Sequence, residues 1–364
     1  MVDWHARTQR PQHLARAFAH RGYRCFYLSP HLGREFDYPV RLGQPLRTCQ
    51  LADRIWELHV GLPREPVYHH RLLTQSESDT LAAALVDLLQ PFGVHRLVIL
   101  AQFPVWTQAA IRIQAQVPSI LVYDCHDWLA GFRRVAGEIV AAEDHLVTVA
   151  DLLVFSSQKL RLQMAERYRI EAKPAIVVRN AVDVAHFPLL AEGRGKVAGY
   201  VGSLDDWFDL EAVEQAAQDH PSVRFVFVGR VEDARLYRLK RLSNIEFRGE
   251  IPYEDLPRVM TEFDVALIPF LRTPLTLATD PIKLYEYFSC GLPVVSAALP
   301  EVQRFGKLVY VGSNPKEFSA QLKKALGETN TDFRRARRAV ALQESWEARA
   351  DQLLAAFKDQ LFRK

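Results

Sequence analysis

Short apolar runs alternate with helical periods along the whole chain. In the first half, runs rich in Val, Ile and Phe predict strands at residues 25–28, 55–59, 97–100, 120–123 and 152–155. Apolar residues at helical spacing predict helices at residues 11–21, 77–89, 107–116, 136–150 and 158–167. Continuous apolar strands separated by helices are typical of a parallel sheet covered on both faces, so we expect such a sheet here.

The second half of the chain repeats this alternation. Its apolar runs predict strands at residues 176–178, 197–201, 224–228, 245–247, 265–268, 294–296 and 308–311. A seam near Lys173-Pro174 predicts two domains, 1–172 and 173–345, and a final helix within 346–364 that packs back on the first domain. The predicted fold is therefore α/β, with two Rossmann-like domains facing across a cleft, where ligands bind beyond the carboxyl ends of the strands.

The start of the chain departs from the usual order of such a domain. A doubly wound domain opens with a strand, but only residues 1–4 precede the first predicted helix. Either the first strand is short or missing, or the chain begins late.

Composition and charge narrow the class of protein. The chain has 364 residues, which suits two domains, and a formal net charge of +3, which is too small to indicate nucleic-acid binding. Its four cysteines are widely spaced and no apolar stretch reaches the ~18 residues of a membrane span, so we expect reduced thiols and a cytoplasmic protein. Arginines dominate the first fifty residues, and this surface is either a solvated face or one that meets an anionic membrane or lipid-linked acceptor.

The most informative segment is residues 279–295, which predict a helix followed by a strand. Asp280 is expected to cap this helix, with Pro281 and Ile282 as its first residues. The free N–H groups of such an end bind phosphate, and Lys283 would add a positive charge. Glu286 lies on the same face and could accept hydrogen bonds from ribose hydroxyls. The alternative is that Lys283 and Glu286 only pair with each other on a surface.

A second polar segment follows the strand at residues 120–123. It places Asp124, His126 and Asp127 at the carboxyl edge of the first sheet. A general base that activates an acceptor hydroxyl must lie within hydrogen-bond reach of it, and these residue types can fill that role. A metal site, or a turn capped by Asp124, are the alternatives.

Several motifs together resemble a known family. They are Asp-Pro-x-Lys-x-x-Glu-Tyr at 280–287, Gly-Leu-Pro-Val-Val at 291–295, Gln-Arg-Pro-Gln-His-Leu at 9–14, Tyr-Asp-Cys-x-Asp at 123–127, Gly-x-x-x-x-Trp-Phe-Asp at 202–209 and Ser-Trp-Glu at 345–347. Over nearly the whole chain, this set resembles GT-B glycosyltransferases of the glycosyl transferases group 1 (family four) type. Within that type it is most similar to the teichuronic-acid-type biosynthesis subgroup. The resemblance implies the GT-B form of the two-domain fold.

The resemblance also implies a donor site on the second domain. Glu286 would bind the ribose of a UDP- or GDP-linked sugar, and Tyr253 would lie near the base. The backbone around Gly202 and Ser203, together with Arg230, would join Lys283 in holding the diphosphate. No cofactor or metal ion is expected.

For the first domain, the resemblance implies an acceptor site and a sugar transfer. Asp127 is the candidate base and His126 its alternative. The acceptor would be a glycan or lipid-linked molecule in surface polysaccharide or glycolipid synthesis. Family analogy favours a retaining outcome.

Two departures from the family pattern keep other functions open. The family carries a second glutamate, which contacts the donor sugar, where this chain has Ala278. The turn after Gly199 offers the acids Asp205 and Asp206 where the family has basic residues. A catalytically silent GT-B binding subunit and a sugar-nucleotide epimerase are therefore the alternative functions.

Overall fold

The computed structural model describes residues 4–5, 7–29, 46–62, 69–191 and 196–362. The chain divides into two compact units: the first comprises Met1–Arg179 and Arg349–Lys364, and the second comprises Asn180–Ala348. The expectation of a short or missing first strand falls on the segment before the first helix, where residues 1–3 lie outside the described ranges.

The first unit contains a four-stranded parallel sheet and a separate three-stranded sheet. Its strands are β1 (Cys25–Leu28), β2 (Leu46–Ala52), β3 (Ile55–Val60), β4 (Leu97–Ala101), β5 (Ser119–Cys125), β6 (Leu152–Phe155) and β7 (Ala175–Val177). Its helices are α1 (Arg10–His20), α2 (Gln75–Leu89), α3 (Thr107–Gln114), α4 (Gly137–Val149) and α5 (Gln158–Arg167). The larger sheet has the order β4-β5-β6-β7 and the smaller one β1-β3-β2. The entirely buried β5 and β6 are the two central strands, which explains their unbroken apolar sequence.

Two strands of the first unit differ from the sequence prediction. β2 was not predicted, and it pairs antiparallel with β3 through a tight turn in which Arg54 has a φ of 59°. β7 was assigned to the second domain, but it hydrogen-bonds along β6 in the first sheet. The chain therefore leaves the first unit after Arg179, later than the seam at Lys173-Pro174.

The second unit is a six-stranded parallel sheet with helices. Its strands are β8 (Val197–Val201), β9 (Arg224–Val228), β10 (Ile245–Gly249), β11 (Val265–Ile268), β12 (Val294–Ala297) and β13 (Tyr310–Gly312). Its helices are α6 (Leu210–Asp219), α7 (Leu256–Met260), α8 (Pro274–Ala278), α9 (Ile282–Ser289), α10 (Pro300–Gln303), α11 (Pro315–Leu326) and α12 (Thr331–Gln343). The strand order is β10-β9-β8-β11-β12-β13, so the direction of winding reverses between β8 and β11.

The final helix, α13 (Trp346–Leu361), begins in the second unit and ends in the first. Its first turn is capped by Ser345, whose Oγ accepts a hydrogen bond from Ala348 N at 3.2 Å. Further along, the Phe357 ring lies 6.0 Å from that of Phe18 on α1. The last helix thus packs on the first helix of the chain.

The four cysteines are free thiols. Burial raises the pKa of Cys25 and that of Cys290 to about 12, so both thiols stay protonated at neutral pH. Within the described ranges, no helix is both long enough and apolar enough to cross a membrane.

Candidate functional site

The carboxyl ends of β8 and β11 mark the point where the second sheet changes its winding direction. Connections leave these two neighbouring strands toward opposite edges of the sheet. In open α/β sheets, ligands bind at such a switch point. Gly202 and Ser203 follow directly after β8, and Pro269 follows β11. The sequence-predicted glycine turn therefore lies where ligands bind in sheets of this order.

The turn after β8 and the turn after β9 approach each other closely. A Cβ atom on Gly229, whose φ is 148°, would lie 1.8 Å from the carbonyl oxygen of Gly202, so only glycine fits. Gly202 N donates to Val228 O at 2.8 Å, and Leu204 N donates to Arg230 O at 3.0 Å. These contacts bring Gly202, Ser203 and Arg230 to one edge of the sheet.

The side chain of Arg230 is 63% exposed and already has a partner. Its guanidinium forms an ion pair with Glu232, and this hydrogen bond raises the pKa of Arg230. Ser203 contributes its carbonyl oxygen to a 2.9 Å hydrogen bond from Tyr200 Oη. A phosphate at this turn would therefore have to compete with Glu232 for the arginine.

The helix α9, which the sequence predicts to bind the donor and which is here called the donor helix for that prediction, begins one residue later than predicted. Its first residue is Ile282, and Pro281 precedes it without any side-chain cap. Asp280 is not the cap, which corrects the sequence prediction. Its carboxylate instead accepts hydrogen bonds from two buried groups of the same unit.

The two groups that donate hydrogen bonds to Asp280 are the backbone N–H of Asn180 and the hydroxyl of Tyr285. Asn180 N lies 2.6 Å from Asp280 Oδ2, and Tyr285 Oη lies 2.8 Å from Asp280 Oδ1. Asp280 is 1% exposed, and burial, with Glu301 nearby, raises its pKa to about 6. The carboxylate is thus an internal acceptor of the fold, closed to solvent.

Lys283 and Glu286 share one face of α9, as their spacing predicts. Lys283 Nζ lies 3.3 Å from Glu286 Oε2, so the pairing that sequence analysis kept as an alternative is present. Glu286 is only 2% exposed, and apart from this ion pair its Oε2 has no hydrogen-bond partner among the residues described. A buried carboxylate oxygen without a hydrogen bond is costly, and a ligand hydroxyl would satisfy it.

Tyr287, the next residue, fixes α9 against the sheet. Its buried hydroxyl accepts a hydrogen bond from Val201 N, the last residue of β8, at 2.9 Å. This contact ties the helix that carries Glu286 to the strand that leads into Gly202. The role of Tyr287 was not predicted from the sequence, although Tyr287 is the tyrosine of the Glu-Tyr motif.

Tyr253 lies after the end of β10 and stacks on a histidine. The rings of His186 and Tyr253 are 4.2 Å apart and nearly parallel, and His186 Nε2 lies 2.9 Å from Tyr253 O. One face of the Tyr253 ring is therefore covered by protein. The role of Tyr253 near a nucleotide base remains a prediction.

In the first unit, a buried ion pair underlies the polar segment after β5. Arg10, from the motif at residues 9–14, places its Nη2 2.8 Å from Asp124 Oδ1 and its Nε 3.0 Å from Oδ2. Both side chains are fully buried, and Gln102 Nε2 donates to the same carboxylate at 2.8 Å. Burial alone would raise the pKa of Asp124, but the Arg10 charge and hydrogen bonds outweigh it and lower that pKa.

His126 and Asp127 form an accessible pair beside this buried one. His126 Nε2 lies 3.6 Å from Asp127 Oδ2, and the two side chains are 21% and 36% exposed. His126 Nδ1 lies 3.3 Å from Asp124 O, which orients the ring. Desolvation raises the pKa of Asp127, while the nearby histidine opposes the shift. The two base candidates are thus brought together.

The alternative interpretation of this segment as a metal site finds no support in its geometry. Asp124 is occupied by Arg10 and Gln102. Over the parts of the chain that the structure describes, no group of three or more His, Cys, Asp or Glu side chains is placed to hold a metal ion.

The sequence of the second unit matches a protein family. Residues 195–328 match the glycosyl transferases group 1 family, and this range contains β8–β13 and α9. These residues are a glycosyl transferases group 1 domain. The group 1 domain contains all the predicted donor-site residues, from Gly202 to Glu286.

Relatives and solved structures extend the comparison beyond the group 1 domain. The chain is 27% identical over 262 residues to the putative teichuronic acid biosynthesis glycosyltransferase TuaH of Bacillus subtilis, a match that covers 64% of this chain and 66% of TuaH. Its fold is similar to sucrose-phosphate synthase from Thermosynechococcus elongatus, with a TM-score of 0.72, 14% identity and coverage of 97% and 93% of the two chains. It is also similar to Anabaena HepE, solved with UDP and glucose, with a TM-score of 0.58, 18% identity and coverage of 75% and 80%. The predicted family resemblance and the GT-B fold class are confirmed.

Proposed function

We propose that the protein is a glycosyltransferase that moves a sugar from a UDP- or GDP-linked donor to a glycan or lipid-linked acceptor, in the synthesis of a surface polysaccharide or glycolipid. The observation that carries this proposal is Glu286. It is a buried carboxylate whose Oε2 lacks a hydrogen bond, on the helix tied to the end of β8 within a glycosyl transferases group 1 domain. The similarity to TuaH supports the polysaccharide context.

In the proposed donor site, the nucleotide lies on the second unit. The ribose hydroxyls donate to Glu286, in place of part of its contact with Lys283. Lys283, which is 26% exposed, turns to the diphosphate together with the backbone around Gly202 and Ser203. HepE holds UDP and glucose in its solved form, which supports a nucleotide-diphosphate donor for this chain.

In the proposed acceptor site, Asp127 accepts the proton of the acceptor hydroxyl. Its raised pKa makes it a stronger base than an ordinary aspartate, and His126 stabilises its charged form. Electrostatic stabilisation of the leaving diphosphate supplies the other part of catalysis. In the proposed reaction no divalent ion is needed and the configuration of the sugar is retained. Retention requires the acceptor hydroxyl to attack on the face from which the diphosphate leaves, so Asp127 must reach that hydroxyl on the same side. A lipid-linked acceptor would bring the protein to an anionic membrane surface as a peripheral protein.

The first experiment is calorimetric titration of the full chain with UDP and with GDP, each with and without Mg²⁺. We expect one nucleotide to bind without metal, and Glu286→Gln to weaken it at least about tenfold, because a ribose hydrogen bond to a charged acceptor is lost. Asp332→Asn is the matched control, since Asp332 is an 82% exposed carboxylate on α12.

The outcomes separate the candidate functions. Binding that is lost in Glu286→Gln and kept in Asp332→Asn supports the donor site. Failure of both nucleotides to bind would contradict the Glu286 assignment. Donor binding without transfer to any acceptor would favour a silent binding subunit, and donor turnover without an acceptor would favour an epimerase.

A further inference from the structure

The chain passes from the first unit to the second at the peptide bond between Arg179 and Asn180, here called the crossing peptide. It returns between Ala348 and Arg349, within α13. Three motif segments that the proposed donor site does not use directly contribute contacts at these crossings, together with residues 180–183. The three segments are residues 9–14, 123–127 and 345–347.

The carbonyl end of the crossing peptide is held by two guanidinium groups of the first unit. Arg10 Nη1 donates to Arg179 O at 3.2 Å, and Arg349 Nε donates to the same oxygen at 3.0 Å. Arg10 is 1% exposed and Arg349 5% exposed, so both guanidinium groups are largely shielded from solvent. Arg10 is itself fixed by its ion pair with Asp124.

The amide end of the same peptide is held by a carboxylate of the second unit. Asn180 N donates to Asp280 Oδ2 at 2.6 Å, and Asn180 Nδ2 donates to Asp280 O at 2.6 Å. Tyr285 on α9 donates to the same carboxylate, and Asp280 is followed directly by Pro281 and α9. The amide end is thus fixed to the start of the donor helix.

The second crossing is secured in the same region. Val182 N donates to Glu344 O at 3.1 Å, and Val182 forms an isolated parallel bridge with Ser345. Ser345 caps α13, which carries Arg349 to the carbonyl of Arg179. The returning chain therefore supports the outgoing one.

We infer that the crossing peptide is a pinned pivot, and that Asp280 and Arg10 are positioning residues that hold its two ends, one to the donor helix and one to the candidate acceptor segment. A charged partner on each end of one peptide group prevents that group from rotating. The backbone torsions that stay free at this crossing are therefore those on either side of a fixed peptide plane. In the proposed transfer reaction, on which the kinetic part of this inference rests, such a pivot limits the geometries that must be searched before donor and acceptor align.

The direct test is hydrogen exchange of the Asn180 amide in the full chain, without any ligand. Asp280→Ala removes its acceptor, and we expect the exchange rate to rise at least about tenfold, as loss of a hydrogen bond to a buried charged group predicts. Trypsin cleaves after arginine, so we also expect faster cleavage at Arg179 in this variant. Asp264→Ala is the matched control, because Asp264 in the same unit accepts Val197 N at 2.8 Å and lies away from the crossing. Unchanged exchange at Asn180 in Asp280→Ala would overturn the inference.

Asp280→Asn covers the case in which the alanine variant does not fold. It keeps one oxygen acceptor and loses the charge, so we expect a smaller rise in Asn180 exchange, with Asp264→Asn as its control. A rate equal to that of the wild type would again overturn the inference.

Turnover separates a positioning role from a merely structural one. We expect Asp280→Asn to lower kcat about tenfold while the donor Kd from calorimetry changes less than about threefold, because alignment is lost and the nucleotide site is kept. Equal losses in kcat and affinity would mean that Asp280 only supports α9. If the wild type binds no nucleotide, the proposed function is wrong. The hydrogen-exchange measurement then still tests whether Asp280 holds the crossing peptide, because it needs no ligand.

Discussion

Replacing Arg10 by methionine tests the buried ion pair that joins two motifs of the sequence. The Arg10 and Asp124 side chains are 2% and 0% exposed, and the guanidinium reaches both oxygens of the carboxylate. Methionine fills a similar volume but leaves Asp124 as an uncompensated buried charge. Removing one partner of such a pair costs about 3–5 kcal/mol. We therefore expect Arg10→Met to lower the free energy of unfolding by about that amount.

The same helix offers a matched control. Arg21, the residue that follows α1, pairs with Asp351, but there the side chains are 21% and 65% exposed. Exposed ion pairs contribute at most about 1 kcal/mol, so Arg21→Met should be nearly neutral. A larger loss of stability in Arg10→Met than in Arg21→Met would show that burial of the ion pair causes the difference.

The assay is urea unfolding at pH 7, followed by circular dichroism. A double variant, Arg10→Met with Asp124→Asn, should recover part of the loss, because the buried charge has been removed together with its partner. The pH dependence of stability gives a second test of the ion pair. The pKa of Asp124 is lowered in the fold, so its contribution is present above its unfolded value of 3.8 and is lost as the pH falls through the folded value. If Arg10→Met and Arg21→Met differ by less than about 1 kcal/mol at pH 7, the reasoning from burial is refuted.

Two further predictions concern other parts of the fold. The hydrogen bonds of Arg71 hold the pKa of the buried Glu77 at about 2, below its usual 4.5. We therefore expect Glu77→Gln to lower the free energy of unfolding by about 3 kcal/mol at pH 7, and by progressively less as the pH falls below 4.5. A difference in stability that does not change with pH would contradict this prediction. Gly229→Ala should lower stability in thermal unfolding by at least about 2 kcal/mol, because the added Cβ would meet the carbonyl oxygen of Gly202. Gly327→Ala is the control and should be nearly neutral, because the nearest atom to its added Cβ would be 3.6 Å away. Equal melting temperatures of the two variants would refute the steric argument.

The repeating parallel strands of the second unit could be predicted from the sequence. The predictions 197–201, 224–228 and 265–268 coincide with β8, β9 and β11. These strands are buried in the interior of the sheet, so nearly every position along them must be apolar. Such a pattern can be recognised in consecutive residues without knowing which strands pair with each other.

The elements that sequence analysis missed or misplaced depend on their partners. Among the described strands, β2 pairs with β3 alone, and its residues are mixed polar and apolar, so its sequence carries a weak signal. β7 has a sequence that suits either unit, and its place follows from hydrogen bonds to β6. Membership of a sheet is a property of two strands, and one strand alone does not encode it.

The candidate site divides in the same way. Local spacing sufficed to place Lys283 and Glu286 on one helix face, and to place Gly202 in the turn after a strand. It was wrong about Asp280, which looked like a helix cap because Asp before Pro is a common start of a helix. The structure gives its carboxylate to Asn180.

By itself, the sequence determined the two-part α/β character of the chain, the turn at Gly202 after a strand and the helix that carries Lys283 and Glu286, because each is encoded within a few consecutive positions. Only the tertiary structure decided which distant polar groups share a buried environment. Arg10 meets Asp124 across 114 positions, and Asn180 meets Asp280 across 100. Such pairs leave no periodic trace in the sequence, since a buried charge is satisfied by whatever partner the folded chain brings to it.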